Sequence, residues 1–308
     1  MTMRMKNTTG AMSIFFLVVS FILVLALTNS ASLALAQAKK GPLKLAWTSW
    51  IEDEAGMQVA KYILENKMGY KVEPILAEMG VISAGLKKGD IDIFLELCLP
   101  EVHKDYWSIV AQDTVIAGTF YHPTTQAWAI PDYIPKDKLN TIDDLKKPEV
   151  REKTGGKIIG IEPGAGLMRR SKNMIELYGL GYDLVEGSEP AMLAALSRAT
   201  KNRDWIVVTL WVPHFAYAQW PLRNLIETKE IIVGALDSCH VITRKGLGTE
   251  YPDVFRFLSR FNWNVSELNK IIYQTGVEKK PVEKAAKEFV ESNPDLVHYW
   301  ITGEYKKQ

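Results

Sequence analysis

The chain has 308 residues, with 37 Lys and Arg against 36 Asp and Glu, a formal net charge of +1. That balance gives no electrostatic footprint for nucleic acid or for an anionic membrane surface. Two cysteines, Cys98 and Cys239, do not make a disulfide framework; in an oxidising compartment they could form one bridge or none.

In chain order, Arg4 and Lys6 come first, then an uncharged apolar run from Ala11 to Leu27. The small-residue sites Ala34-Leu35-Ala36 and Ala36-Gln37-Ala38 follow, and then Lys39 and Lys40. This is the order of a secretory signal peptide, so residues 1–38 are expected to be removed, with an uncleaved membrane anchor as the competing reading. The loss of Arg4 and Lys6, with no acidic residue, takes the net charge from +1 to −1. No Cys lies near the cleavage site to take a lipid, which favours release into a Gram-negative periplasm.

Beyond the leader, short apolar strands alternate with helices. Strands are expected at Leu43–Ala46, Lys71–Leu76, Ile91–Glu96, Lys157–Ile161 and Trp205–Leu210. Helices are expected at Ala55–Asn66, Gly80–Lys88, Leu167–Tyr178 and Met192–Lys201. Pro131 to Gly156, with several Pro, Asp, Lys and Gly, reads as a surface connection. The alternation occurs twice and then returns, which predicts an α/β chain in two lobes. Candidate crossings are Gln126–Pro131 and His240–Arg244. The expected division is residues 41–127 plus 241–308 for lobe 1 and 128–240 for lobe 2. Ligands of such sheets bind at the carboxyl ends of strands, here in the interlobe cleft.

Nine Trp is a high count, and several stand where a cleft could use them. Trp47 and Trp50 follow the first strand, Trp211 ends the strand Ile206–Leu210, and Trp263 lies in Arg260-Phe261-Asn262-Trp263. Any one Trp can equally be core packing. Several faces around one space would hold a quaternary ammonium through the ring quadrupole, since such a cation has no N–H to satisfy. The segment Gly160-Ile161-Glu162-Pro163-Gly164-Ala165-Gly166 lies between a strand and a helix, where backbone N–H groups favour negative charge. It lacks the third Gly of a dinucleotide fingerprint, and it could also be a plain tight turn.

These segments resemble the substrate-binding proteins of ATP-driven (ABC) importers for glycine betaine, proline betaine and choline, from about Lys44 to about Tyr299. The residues that carry the likeness are Ala46-Trp47-Thr48-Ser49, Leu97-Cys98-Leu99-Pro100, the Gly160–Gly166 segment, Val207 through His214, Arg244-Lys245-Gly246 and Arg260 to Trp263. The resemblance implies the two-lobed periplasmic solute-binding fold, a small quaternary-ammonium ligand captured for nutrition or osmoprotection, and an importer permease with its ATPase as partner. It implies no cofactor. By position it makes Trp211 and Trp263 members of an aromatic cage, with Trp47 and Trp128 near further ring positions, and Gly164, Ala165 and Gly166 at the ligand's polar end. Where relatives have Trp before the Leu-Pro pair this chain has Cys98, so a ring is missing. Trp50 or Trp47 could fill the gap, and Glu96 could add a compensating negative charge. His214 and His240 could each reach a ligand carboxylate. Against an enzyme, no His pair has metal-ligand spacing and no nucleophile motif is present. An enzyme or a sensor subunit on the same scaffold is the alternative reading.

Overall fold

The computed structural model describes residues 41–229 and 237–305. The expected signal peptide, residues 1–38, lies outside the described residues. The first half opens with β1 (Leu43–Trp47), α1 (Ile51–Asn66), β2 (Val72–Leu76), α2 (Met79–Lys88), β3 (Ile93–Leu99) and α3 (Lys104–Val110). β1 pairs in parallel with both β2 and β3, as strands linked by covering helices do. Gly89 ends α2 in the left-handed conformation at φ 77°, where a side chain would be strained.

β4 (Thr114–Pro131) is the long strand that joins the two halves. From Thr114 to Thr124 it pairs with β9 (Asp237–Arg244), and from Thr125 to Ala129 with β7 (Val208–Val212). The crossing therefore falls at Thr124–Thr125, just before the expected Gln126–Pro131. β9 lies against β3 and β4 over its whole length. The return to the first half thus precedes Asp237 and is not made by His240–Arg244. Among the described residues the strand order is β2-β1-β3-β9-β4-β7-β5-β6, with β5 at Lys157–Ile159 and β6 at Asp183–Val185; β8 (Leu222–Asn224) pairs with β4.

The second half contains α4 (Pro148–Lys153), α5 (Gly166–Tyr178), α6 (Glu189–Asn202) and the single turn α7 (Ala216–Gln219). The Pro131–Gly156 stretch is not a bare surface connection. Ile134, Leu139, Ile142, Leu145 and Val150 are buried with Trp128 and Tyr178 in the core of this half. A 3₁₀ turn capped by Thr141 and Asp144 places them there. Their apolar spacing is too sparse to have stood out among the polar residues. After β9 come α8 (Leu247–Glu250), α9 (Pro252–Arg260), α10 (Val265–Gly276), α11 (Val282–Ser292) and α12 (Pro294–Thr302), which close over α1 and the first-half sheet.

Cys98 and Cys239 face each other across β3 and β9 and form a disulfide, settling the bridge-or-none question in favour of the bridge. It closes a loop with a sequence separation of 141. Restricting the unfolded chain over so long a loop predicts that the Cys98→Ser/Cys239→Ser variant loses roughly 2–5 kcal/mol of unfolding free energy. Urea unfolding of the parent with and without a dithiol reductant measures it. Identical midpoints would show that the bridge contributes nothing.

Candidate functional site

A cavity lies where the two halves meet. The start of α1 supplies Trp50 and Glu52, and β3 supplies Glu96 and Cys98. Val102 and His103 come from the turn before α3, and Tyr121, Thr124 and Gln126 from β4. Ile161, Ala165, Gly166 and Leu167 come from the entry to α5, and Trp211 from β7. Glu96 and Cys98 stand two apart on β3, so strand alternation turns both to this wall. Cys98 Sγ is 4.0 Å from Glu96 Oε1. Glu96 and the two sulfurs are close enough to suggest a metal site, but both sulfurs are committed to the disulfide.

Each half lends a carboxylate to the other half's indole. Trp50 Nε1 donates to Glu162 Oε1. Trp211 Nε1 donates to Glu52 Oε1 at 2.5 Å. Around these run the Ile51 N–H to Glu189 Oε2 bond at 3.1 Å and the Tyr106 hydroxyl to the Gly164 carbonyl at 2.6 Å. Arg169 on α5 meets Asp105 at 3.0 Å near the rim. The Trp50 ring is stacked on His103, with centroids 5.7 Å apart, and Trp211 meets His214 edge-on at 4.7 Å.

The acidic side chains at the start of α1 sit in the favourable field of the helix N-terminus. Thr48 also donates to Asp53 from its N–H and its hydroxyl, at 2.6 and 2.8 Å. Burial nonetheless dominates. It raises Glu52 well above the ordinary carboxylate range, with Glu189 adding like-charge repulsion. It raises Glu96 in the same way, with Glu52 as the next cause. Burial also lifts Asp53 to about 7 and Glu189 to about 8. His103 and His214 are pushed down to about 3 by burial and are neutral. His103 Nδ1 accepts the Cys98 N–H, and His214 Nδ1 accepts the Ala216 N–H.

Of the residues singled out from sequence, Trp50, Cys98, Ala165, Gly166 and Trp211 line this cavity. The others do not. Trp47 packs half-buried against the first-half core. Trp128 is buried in the second-half core with its Nε1 on Ser171 Oγ. Trp263 is buried against Phe289 and Trp300, at 4.6 and 5.2 Å between centroids. Gly164 stands behind the wall with its carbonyl on Tyr106. His214 supports Trp211 from outside, and His240 is half-buried on β9 opposite Leu97. For the three Trp a large ring was taken up by core packing, which residue type alone does not distinguish from a cleft. Sequence reasoning missed Glu52, His103, Tyr121, Thr124 and Gln126. An acidic residue two positions after Trp50 at a helix start was the available signal for the first.

Two α/β halves joined by a crossing strand, closed on an aromatic and acidic cavity, define a ligand-capturing protein of the two-lobed solute-binding class. A family profile described as the substrate-binding domain of the ABC-type glycine betaine transport system matches residues 41–292. The chain belongs to that family. The glycine betaine/carnitine transport binding protein GbuC of Listeria monocytogenes is 34% identical over 163 residues, 52% of this chain and 53% of that one. The match thus spans about half the length of that relative. Lactococcal OpuAC, in a closed form complexed with glycine betaine, superposes with a TM-score of 0.78 at 26% identity, over 85% of this chain and 100% of that one. A choline-binding protein of an ABC transporter, in complex with choline, gives 0.78 at 25% identity, over 86% and 93%.

At Gly166 the backbone of the second half lies against that of the first. A Cβ there would lie 2.1 Å from the Val102 carbonyl oxygen, a backbone atom that a rotamer change cannot move. Gly166→Ala should therefore hold the halves apart and weaken ligand binding at least about tenfold, with the circular dichroism spectrum unchanged. Isothermal titration measures it. Parental affinity would mean that this contact is absent from the liganded form.

Proposed function

We propose that the chain is an exported solute-binding protein that captures a small quaternary-ammonium compound of the glycine betaine or choline type. It would hand that compound to an importer permease driven by its ATPase. The observation that supports this most directly is that Trp50 and Trp211, from opposite halves, line one cavity together with buried carboxylates. Indole faces attract a cation through their quadrupole, and a quaternary ammonium gives up little hydration on entering. The similar proteins bind or are named for ligands of this kind.

In this reading the expected division, residues 41–127 with 241–308 against 128–240, shifts to Thr124–Thr125 on β4, and the whole of β9, Asp237–Arg244, belongs to the first lobe. The lobes close about the Thr124–Thr125 crossing. Trp50 and Trp211 form the cage, Ala165 and Gly166 bring backbone close to the ligand, and His103 and His214 hold the two indoles in place. The working compartment is the periplasm, after removal of residues 1–38. Among the described residues no helix is long and apolar enough to cross a membrane. The role is capture and delivery without turnover: both cavity-side histidines are neutral and spent on backbone N–H groups, and the disulfide occupies the thiols.

Substitutions at Trp211 test the cage. Trp211→Ala should weaken binding by roughly 2 kcal/mol or more, since packing and quadrupole are both lost. Trp211→Phe should cost less, and Trp211→Leu should resemble Ala despite its apolar bulk. Isothermal titration with the best of choline, glycine betaine and carnitine gives the order. Equal affinity for Leu and Phe would remove the cage at this position, and parental affinity for Ala would misplace the site.

A further inference from the structure

The buried polar atoms that line the cavity without a hydrogen-bond partner among the described residues are Glu52 Oε2, Glu96 Oε2 and Gln126 Oε1. All three are acceptors. Glu52 and Glu96 are 1% and 2% exposed. Their other oxygens are already held, Glu52 Oε1 by Trp211 Nε1 and Glu96 Oε1 by the Tyr121 hydroxyl. No Lys or Arg lines the cavity beside them. A carboxylate buried without donor or counter-charge is costly, and a ligand that supplies the missing charge recovers that cost on binding.

We infer that Glu52 and Glu96 set the specificity of the cavity and restrict it to cations that carry no carboxylate of their own. This rests on the quaternary-ammonium reading above and narrows it. A single fixed positive charge in the cavity faces both carboxyl groups at once. A zwitterion brings the same ammonium but places its own carboxylate in a cavity walled by Glu52 and Glu96. The start of α5 is the feature that would suit a carboxylate, through its backbone N–H groups. Glu162, four residues ahead of Gly166 and bonded to the Trp50 indole, already sets a negative group beside it. Juxtaposed like charges of this kind are the standard means of excluding a near-isosteric competitor.

Three probes separate charge from shape: choline, tetramethylammonium (a cation with neither hydroxyl nor carboxylate) and glycine betaine. Isothermal titration of the disulfide-intact protein at one pH and salt concentration should place choline and tetramethylammonium within about tenfold of each other. Glycine betaine should lie about a hundredfold weaker or more. The Glu52→Gln/Glu96→Gln variant keeps an acceptor for the Trp211 and Tyr121 donors but removes the charge. It should weaken both cations about tenfold or more and leave glycine betaine unchanged or tighter. Glycine betaine binding the parent as tightly as choline overturns the inference while leaving the quaternary-ammonium function standing. So does a folded variant that weakens all three probes by one common factor. Binding of none of the probes by the parent removes the function and the inference together. If the variant does not fold, the parent's ranking of the probes decides alone.

Discussion

The reciprocal bonding of two indoles to two carboxylates across the cleft is the interaction on which the site depends. Trp50 reaches Glu162, and Trp211 reaches Glu52, so neither ring is oriented by its own half alone. A charge-assisted hydrogen bond in a low-dielectric interior is strong, but burying the carboxylate costs much of that gain. The balance is one a protein can tip from outside. Closure without a cation leaves carboxylate oxygens unsatisfied, and closure on a cation satisfies them. A capture protein needs that inequality, because closure must be driven by the ligand's differential affinity for the closed form.

The rest of the first half holds one wall of the cavity still. β3 is pinned to β9 by the Cys98–Cys239 bridge, at the residue that faces the cavity. The Asp237 carboxylate receives the N–H groups of Glu101 and Val102, tying the turn after β3 to the same strand. Behind them Phe261, Trp263, Phe289 and Trp300 form a stacked aromatic core under the C-terminal helices. Those rings have no part in the cavity, yet they fix the strand that bears Tyr121: Trp263 donates its N–H to the Phe120 carbonyl at 2.7 Å. Among the described residues the chain crosses between the halves on β4 at Thr124–Thr125, and Thr124 itself lines the cavity.

Cys98 illustrates how one substitution changes a wall without changing the fold. The ring position before the Leu-Pro pair is taken by a disulfide, which is compact and apolar and offers no quadrupole. Glu96 and Tyr121 stand next to it and supply polarity in its place. Acid and disulfide thus share the cavity wall with the indoles of Trp50 and Trp211.

The sequence by itself determined the fold class, the alternation of strands and helices, the family, and the two residues at the centre of the site. Trp50 and Trp211 stand at the carboxyl ends of strands or just beyond, and that position follows from local pattern. Gly166, singled out as a small residue at a strand-to-helix turn, lies on the cavity wall against the Val102 backbone. Tertiary structure decided which of the remaining rings face the cleft. Trp128 and Trp263 are chemically identical to Trp211, and only packing across elements distant in sequence sent them into cores. It also decided that Glu52 and Glu96 meet. They belong to different elements, 44 positions apart, and only the packing of α1 against β3 brings both into the cavity. A carboxylate in sequence reads as a solvated surface group; its burial, and the charge it then demands of a ligand, exist only once the chain has folded around it.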